Sequence, residues 1–351
     1  MSANKHQFAV DASKIAFDQR HSQTIKFNIS KYDAAVTKGF GRYRDLALAR
    51  QQAARIKREV LAHLDTYLLQ FEENSTRRGA EVHWAQTADE ALELITALIS
   101  EVSAKSIVKS KSMTTEEIEL NAAAEAVGCE SVETDLGEFI VQVAGERPYH
   151  IVTPAMHKSK GDIAKLFNEK FGTDINATPE ELTAYVRGVL RQKFTTAEIG
   201  VTGANFLVAD TGAISVTENE GNGLMTMSFP KLHIVIAGIE KVIPKMEQLG
   251  LFYPLLAAHG TGQQMTVYNS LVSGPRQPGE ANGPDRMVVI LLDNGRTNLY
   301  ADGESREALA CIRCGACLNG CPVYKTIGGY TYNTTYSGPI GSVITPFFKG
   351  F

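Results

Sequence analysis

Four of the five cysteines lie close together near the end of the chain, as Cys311, Cys314, Cys317 and Cys321, and Pro322 follows the last of them. The spacing C-x2-C-x2-C-x3-C-P is that of bacterial ferredoxins, in which thiolates bind [4Fe-4S] clusters and the fourth cysteine binds a second cluster. Zinc is the alternative metal, but zinc sites more often pair two C-x2-C knuckles across a longer spacer. The sequence therefore predicts iron–sulfur binding by these four residues.

The reciprocal half of this motif is missing, because no cysteine follows Cys321. Either Cys321 completes the first cluster itself, or the chain ends before a second cysteine run. The fifth cysteine, Cys129, is remote in sequence, and we predict that it is a buried structural thiol, since free cysteine behaves as a small hydrophobe.

A second group of candidate residues combines cations and hydroxyls between a predicted strand and a predicted helix. Its members are Lys109, Lys111, Ser112 and Thr114. The N-terminus of a helix with such side chains suits an anion, for example a small carboxylate or a phosphate. Helix capping together with solvated lysines explains the same residues equally well.

A third group, Glu218, Glu220 and Asn222, lies beside glycines directly after a predicted strand. Open α/β sheets bind ligands at the carboxyl ends of their strands, so this loop is a further candidate ligand site. A turn made possible by the glycines is the favoured interpretation. A nucleophilic role for either glutamate is the alternative.

The elements that must position these groups alternate between apolar strands and amphipathic helices, which is typical of an α/β domain with a mostly parallel sheet. Residues 1–40 show no clear periodicity, and one long helical stripe runs from Leu46 to Phe71. A capping box at Thr114–Glu117 is expected to begin a helix toward Val127. Strands are predicted at 81–85, 106–109, 138–143, 149–153, 206–209, 213–216, 232–237 and 287–292, and helices at 91–99, 159–171 and 179–193.

Composition restricts the class of protein. The 351 residues are 44% hydrophobic and 21% charged, which is ordinary for a globular protein. The net charge of −4 gives no reason to expect nucleic-acid binding. No apolar stretch has the length of a membrane span, and the first residues have no apolar core of a secretory signal. Cysteines clustered in such a chain indicate a metal site in the reducing cytoplasm.

Several segments together resemble the lactate utilisation protein B family, the LUD-domain iron–sulfur subunits of the bacterial L-lactate oxidation system. The resemblance spans essentially the whole chain. The segments are IKREVLAHLDTYLLQFEEN (56–74), VHWA (82–85), VKSKSMTTEEIELN (108–121), TTAEIGVTGANFLVADTGAISVTENEGNG (195–223), CIRCGACLNGCPVY (311–324) and SGPIGSVITP (337–346).

The resemblance implies an N-terminal helical arm (1–78), a LUD α/β domain of the CoA-transferase and ribose-phosphate-isomerase type (79–302), and a partial ferredoxin-like segment (303–351). Family members continue into a second cysteine run, so we expect this chain to be a partial version. In that pattern Cys311, Cys314 and Cys317 bind the first [4Fe-4S] cluster, and Cys321 serves the second.

The implied function is electron transfer while L-lactate is oxidised to pyruvate. The implied partners are a cysteine-rich subunit and a second LUD-domain subunit, and which subunit oxidises lactate stays open. The alternative function is a scaffold or small-anion-binding module in which L-lactate or a related carboxylate binds the LUD domain and the cysteine segment holds a structural metal.

Overall fold

The computed structural model describes residues 2–350. Four helices precede the first strand, and two of them are separated only by a break at His63, where the backbone leaves the helical region (φ −136°). The predicted stripe from Leu46 to Phe71 therefore belongs to two helices. The four helices are α1 (Ser2–Ala16), α2 (Gln19–Phe40), α3 (Leu46–Ala62) and α4 (Leu64–Arg77).

Ten strands form the sheets. They are β1 (Glu81–Ala85), β2 (Ser106–Lys109), β3 (Glu130–Glu133), β4 (Ile199–Thr202), β5 (Phe206–Val208), β6 (Ala213–Glu218), β7 (Leu232–Gly238), β8 (Val242–Ile243), β9 (Tyr268–Val272) and β10 (Arg286–Leu292).

Twelve further helices connect the strands and complete the chain. They are α5 (Ala88–Glu101), α6 (Met113–Glu117), α7 (Leu120–Ala126), α8 (Leu136–Ala144), α9 (Lys160–Phe171), α10 (Pro179–Thr196), α11 (Asn222–Ser228), α12 (Leu249–Gly260), α13 (Arg296–Ala301), α14 (Ala316–Gly320), α15 (Pro322–Ile327) and α16 (Gly338–Lys349).

The main sheet has six parallel strands in the order β1-β10-β7-β4-β2-β3. Its central strand β7 is buried along its whole length, as expected for a parallel sheet that is covered on both faces. A second sheet has the order β8-β5-β6-β9, and its β5–β6 pair is the hairpin predicted around Asp210-Thr211-Gly212. The predicted α/β class is confirmed. Cys129 is fully buried in the core beside the main sheet, as predicted.

Two strand predictions are wrong. Residues 138–143 belong to α8, because Asp135 accepts hydrogen bonds from the backbone N–H groups of Gly137 (3.0 Å) and Glu138 (3.2 Å) and so begins a helix. Residues 149–153 form bends. A short run of buried apolar residues fits a strand and a buried helix equally well, so periodicity alone does not separate them.

Residues 1–40 are helical rather than irregular. Their main buried side chains, Ile25 and Ile29, pack against Leu318 and Tyr324 of the cysteine segment. The capping prediction is also wrong in detail. Ser112 caps α6 by accepting a hydrogen bond from the N–H of Thr115, and α6 ends before Glu119, whose φ is +57°. Glu117 binds Arg296 instead of reaching back along its own helix.

Candidate metal centre and adjoining cavity

Three of the four clustered cysteines line one pocket of about 480 Å³. They are Cys311, Cys314 and Cys317, and the rest of the wall is mainly apolar, including Leu318 and Ile340. Gly315 shapes the loop between them at a φ of +79°. A Cβ atom at this position would lie 2.9 Å from both Ile151 Cγ2 and Val152 Cγ2, so the loop requires glycine.

The chemistry of this pocket suits an iron–sulfur cluster better than a single ion. Within residues 2–350, no three histidine, cysteine, aspartate or glutamate side chains converge as the ligands of one metal ion would. Thiolates placed around an apolar cavity are the donors that a [4Fe-4S] cluster uses. The backbone N–H of Arg313 also donates to Cys311 Sγ at 3.4 Å, which is the type of contact that modulates a cluster's potential.

Cys321 lies outside the wall of this pocket as described. Its Sγ accepts a hydrogen bond from the backbone N–H of Tyr324 (3.5 Å) at the start of α15. Its side chain packs against the core that contains Ile25 and Tyr149. The geometry thus separates Cys321 from the other three cysteines.

A cavity of about 600 Å³ lies between the α/β domain and the cysteine segment, and it brings together the two polar stretches that are remote in sequence. The predicted residues that line it are Lys111, Ser112, Thr114, Glu218, Glu220 and Asn222. Lys109 does not line it. Its ammonium is fully buried and contacts Glu116 and Glu133, each at 2.8 Å.

Most of these residues also stabilise the local structure. Lys111 pairs with Asp135 at 2.8 Å. Glu218 accepts hydrogen bonds from the N–H groups of Gly223 and Leu224, both at 2.6 Å, at the start of α11. Glu220 accepts a hydrogen bond from the N–H of Leu136 (3.2 Å).

The acidic groups share this corner of the cavity. With its amide oriented to satisfy both ends, Asn222 donates to Glu218 and accepts from the backbone N–H of Asp135. Burial raises the pKa of Glu218 and of Glu220, and the nearby Asp135 charge adds to both effects.

Sequence reasoning missed two basic residues of the cavity wall, Lys241 and Arg313. Lys241 closely follows β7, and the end of a buried parallel strand was the signal that would have found it. Arg313 lies inside the cysteine motif, where attention went to the sulfur ligands.

Beneath these cations, Glu240 is buried and joins two arginines. Its carboxylate contacts Arg296 Nε at 2.6 Å and Arg313 Nη2 at 3.4 Å. Burial alone would raise the pKa of Glu240, but the charges of Arg296 and Arg313 outweigh burial and hold the pKa well below its usual range.

Burial lowers the pKa of Lys57 to about 8, against the opposing charge of Glu240. This ammonium is held by two backbone carbonyls, those of Glu240 and Val242. Burial likewise lowers the pKa of Lys241 to about 8. The carboxyl end of β7 is therefore a strongly basic region.

The pocket and the cavity share part of their walls. Ile151, Arg313 and Cys314 line both. A molecule in the cavity would therefore lie beside a cysteine of the metal centre.

The fold and this cysteine pocket define an α/β protein with an iron–sulfur segment. The LUD domain model matches residues 68–292, and the model of a 4Fe-4S dicluster domain matches residues 307–348. The chain therefore belongs to the LUD domain family. Its cofactor is a [4Fe-4S] cluster, as the sequence predicted.

Proteins named Lactate utilization protein B are similar over most of the chain. Those of Bacillus licheniformis and Bacillus pumilus are each 46% identical over 303 residues, which is 86% of this chain and 63% and 64% of theirs. One from Bacillus cereus is 45% identical over 302 residues, 86% of this chain and 63% of its own length. The chain thus spans slightly less than two thirds of the length of these relatives.

A crystal structure of a DUF162 family protein from Deinococcus radiodurans aligns with 65% of this chain and 98% of its own, at 15% identity and a TM-score of 0.34. No helix within residues 2–350 combines the length and apolar character that a membrane crossing requires.

Proposed function

We propose that this chain is an iron–sulfur electron-transfer subunit of a system that oxidises L-lactate to pyruvate. The observation that carries the proposal is the placement of three cysteines around one mainly apolar pocket, behind a cavity lined by polar groups. The similarity to proteins named for lactate utilisation supports the choice of substrate. The proposed location is the cytoplasm.

In this proposal Cys311, Cys314 and Cys317 hold one [4Fe-4S] cluster, and Cys321 serves a second one. A bound cluster supplies one-electron storage. The protein's own contribution is to exclude water from the pocket through side chains such as Leu318 and Ile340, and to direct backbone N–H groups at the sulfur atoms.

The proposed partners are a cysteine-rich subunit and a second LUD-domain subunit of the same system. We also propose the division of the chain into the helical arm (1–78), the LUD domain (79–302) and the partial ferredoxin-like segment (303–351). The packing of α2 on the cysteine segment supports a role for the arm in holding that segment in place.

The proposal is tested by anaerobic reconstitution with iron and sulfide. The wild-type chain is expected to gain broad visible charge-transfer absorption, and Cys314→Ser is expected to lose it. Cys129→Ser is the matched control, because that thiol is buried in the core of the α/β domain and far in sequence from the motif. Cys321→Ser is expected to keep the absorption of the first cluster. Retention of zinc in place of iron would contradict the proposal.

The large cavity favours a second candidate function, a small-anion-binding module with a structural metal. The two functions differ in what reconstitution yields. A full-length chain that binds L-lactate tightly, yet takes up no iron under any loading condition, would favour the module.

A further inference from the structure

Two cations on the cavity wall have unused hydrogen-bonding capacity. The Arg313 side chain is only 8% exposed, and its Nη1 has no hydrogen-bond partner within the described chain. Lys241 lines the same cavity, and its ammonium makes neither a hydrogen bond nor an ion pair with any residue from 2 to 350. Buried or partly buried charges are normally paired, so this arrangement indicates a missing anion.

The contacts already made by Arg313 leave room for that anion. Its Nη2 lies 3.4 Å from Glu240 Oε1, a long contact, and Glu240 makes its shorter contact (2.6 Å) with Arg296. The guanidinium also lies over the ring of Tyr336, 5.0 Å from its centroid, which fixes its plane. The residue is thus held in place without being fully neutralised.

The cavity is electrostatically two-ended. Lys241 feels mainly Glu240, Arg313 and Cys311, whereas Glu218 and Glu220 feel mainly Asp135 and Lys111. A ligand with one anionic group fits the basic end. The carboxylates at the other end repel a second anionic group and accept hydrogen bonds from a hydroxyl.

From this arrangement we propose that the cavity binds a small organic acid with a single carboxylate, which Arg313 and Lys241 hold beside Cys314. A 2-hydroxy or 2-oxo acid has the required chemistry, and the volume of about 600 Å³ leaves space for accompanying water. Arg313 suits this role because its fork can bind both carboxylate oxygens. The identity of the acid rests on the proposed function, but the site itself rests only on the cavity and its two cations.

Isothermal titration calorimetry on the full-length, cluster-loaded chain tests the proposal, with L-lactate, pyruvate and inorganic phosphate as probes. Saturable binding of at least one of the two monocarboxylates is expected, tighter than binding of phosphate. Lys241→Met should weaken it by about tenfold or more, because a hydrogen bond to a charged group is lost. Lys245→Met is the matched control, since that side chain is 61% exposed and outside the cavity wall, and its affinity should equal that of the wild type.

Iron content and visible absorption, measured on the same samples, show that Lys241→Met still holds the cluster. Arg313→Lys provides a second variant, with an expected loss of affinity and retained absorption. If Arg313 served the cluster alone, this variant would change the absorption and leave acid binding unaltered, which would overturn the proposal. Equal affinity in Lys241→Met and the wild type would overturn it as well.

The two proposals fail separately. A chain that loads iron but binds neither acid refutes the carboxylate site and leaves the electron-transfer function standing. A chain that binds a monocarboxylate through Lys241 without ever taking up iron refutes the electron-transfer function alone.

Discussion

At the scale of single residues, a buried network of charges connects the cysteine segment to the α/β domain. Arg296 is 1% exposed, and it binds Glu117 through two hydrogen bonds of 2.9 Å and Glu240 through one of 2.6 Å. Tyr336, from the cysteine segment, donates to the same Glu117 (2.6 Å). Removal of the arginine would leave two buried carboxylates without their partner.

We therefore predict that Arg296→Met destabilises the protein by about 3–5 kcal/mol, the usual result of removing one partner of a buried ion pair. Denaturant unfolding under anaerobic conditions measures this free energy. Arg58→Met is the control, because Arg58 and Glu307 form an ion pair with both side chains more than 60% exposed. No measurable change is expected there. Equal stabilities of the two variants would show that the buried network contributes little.

A second residue-scale prediction concerns acid sensitivity. His233 is fully buried in β7, its Nε2 bonds Thr202 Oγ1 at 2.9 Å, and burial lowers its pKa from 6.5 to about 3. Above pH 6.5 the imidazole is neutral in both the folded and the unfolded chain, so it has no effect on stability. As the pH falls from 6.5 toward 3, only the unfolded chain takes up the proton, and stability is lost.

At pH 5 this loss amounts to about 2 kcal/mol. His233→Gln keeps a hydrogen-bonding group but does not titrate, so its free energy of unfolding should fall by about 2 kcal/mol less between pH 7 and pH 5. His63→Gln, at an exposed position between α3 and α4, should follow the wild type. A variant at position 233 with an unchanged pH profile would refute the assignment.

The residues that the sequence reveals are those whose chemistry is local. The cysteine motif is recognisable because its spacing is carried by one short segment. Lys241 and Arg313 meet at one cavity only because β7 and the cysteine loop are brought together by the fold. The role of Lys109 was equally hidden, since its partner Glu133 lies on a neighbouring strand.

At the scale of elements, the predictions succeeded where a helix or strand shows its own pattern and failed where a distant partner stabilises it. Strand β10 and helix α10 carry clear apolar runs and caps, and both were predicted. Helix α2 was missed because its few apolar residues meet their partners almost 300 positions away in the sequence. Helix α8 was predicted as a strand because its β-branched residues favour that interpretation.

The dependence of the cysteine segment on α2 can be tested by shortening one buried side chain. Ile29 is 2% exposed and packs in the same core as Leu318 and Tyr324. Ile29→Ala should cost about 2–5 kcal/mol and increase hydrogen–deuterium exchange in α14 and α15. Phe27→Ala is the control, because Phe27 is 60% exposed on the same helix and should leave exchange unchanged. Unaltered exchange in the Ile29 variant would show that the segment is held independently of α2.

At the scale of the whole molecule, the cysteine segment and the α/β domain have no separate cores. Two of the apolar cores combine residues from both: one joins Tyr149 and Met156 to Leu318 and Tyr324, and the other joins Leu61 to further residues of the C-terminal segment. The buried network around Arg296 adds polar contacts across the same boundary. These shared contacts predict that the two parts unfold together.

This cooperativity has two independent reporters. The single tryptophan, Trp84, lies on β1 in the α/β domain, and its fluorescence reports loss of the β1–β10 pairing. Visible absorption reports the cysteine pocket once the cluster is loaded. In anaerobic denaturant titrations the two midpoints should coincide in the wild type, since coincident transitions are the mark of a single cooperative unit. Arg296→Met should weaken the boundary and move the absorption midpoint below the fluorescence midpoint. A wild-type chain that already loses absorption at lower denaturant than fluorescence would show that the cysteine segment is a separate folding unit, despite the cores it shares with the α/β domain.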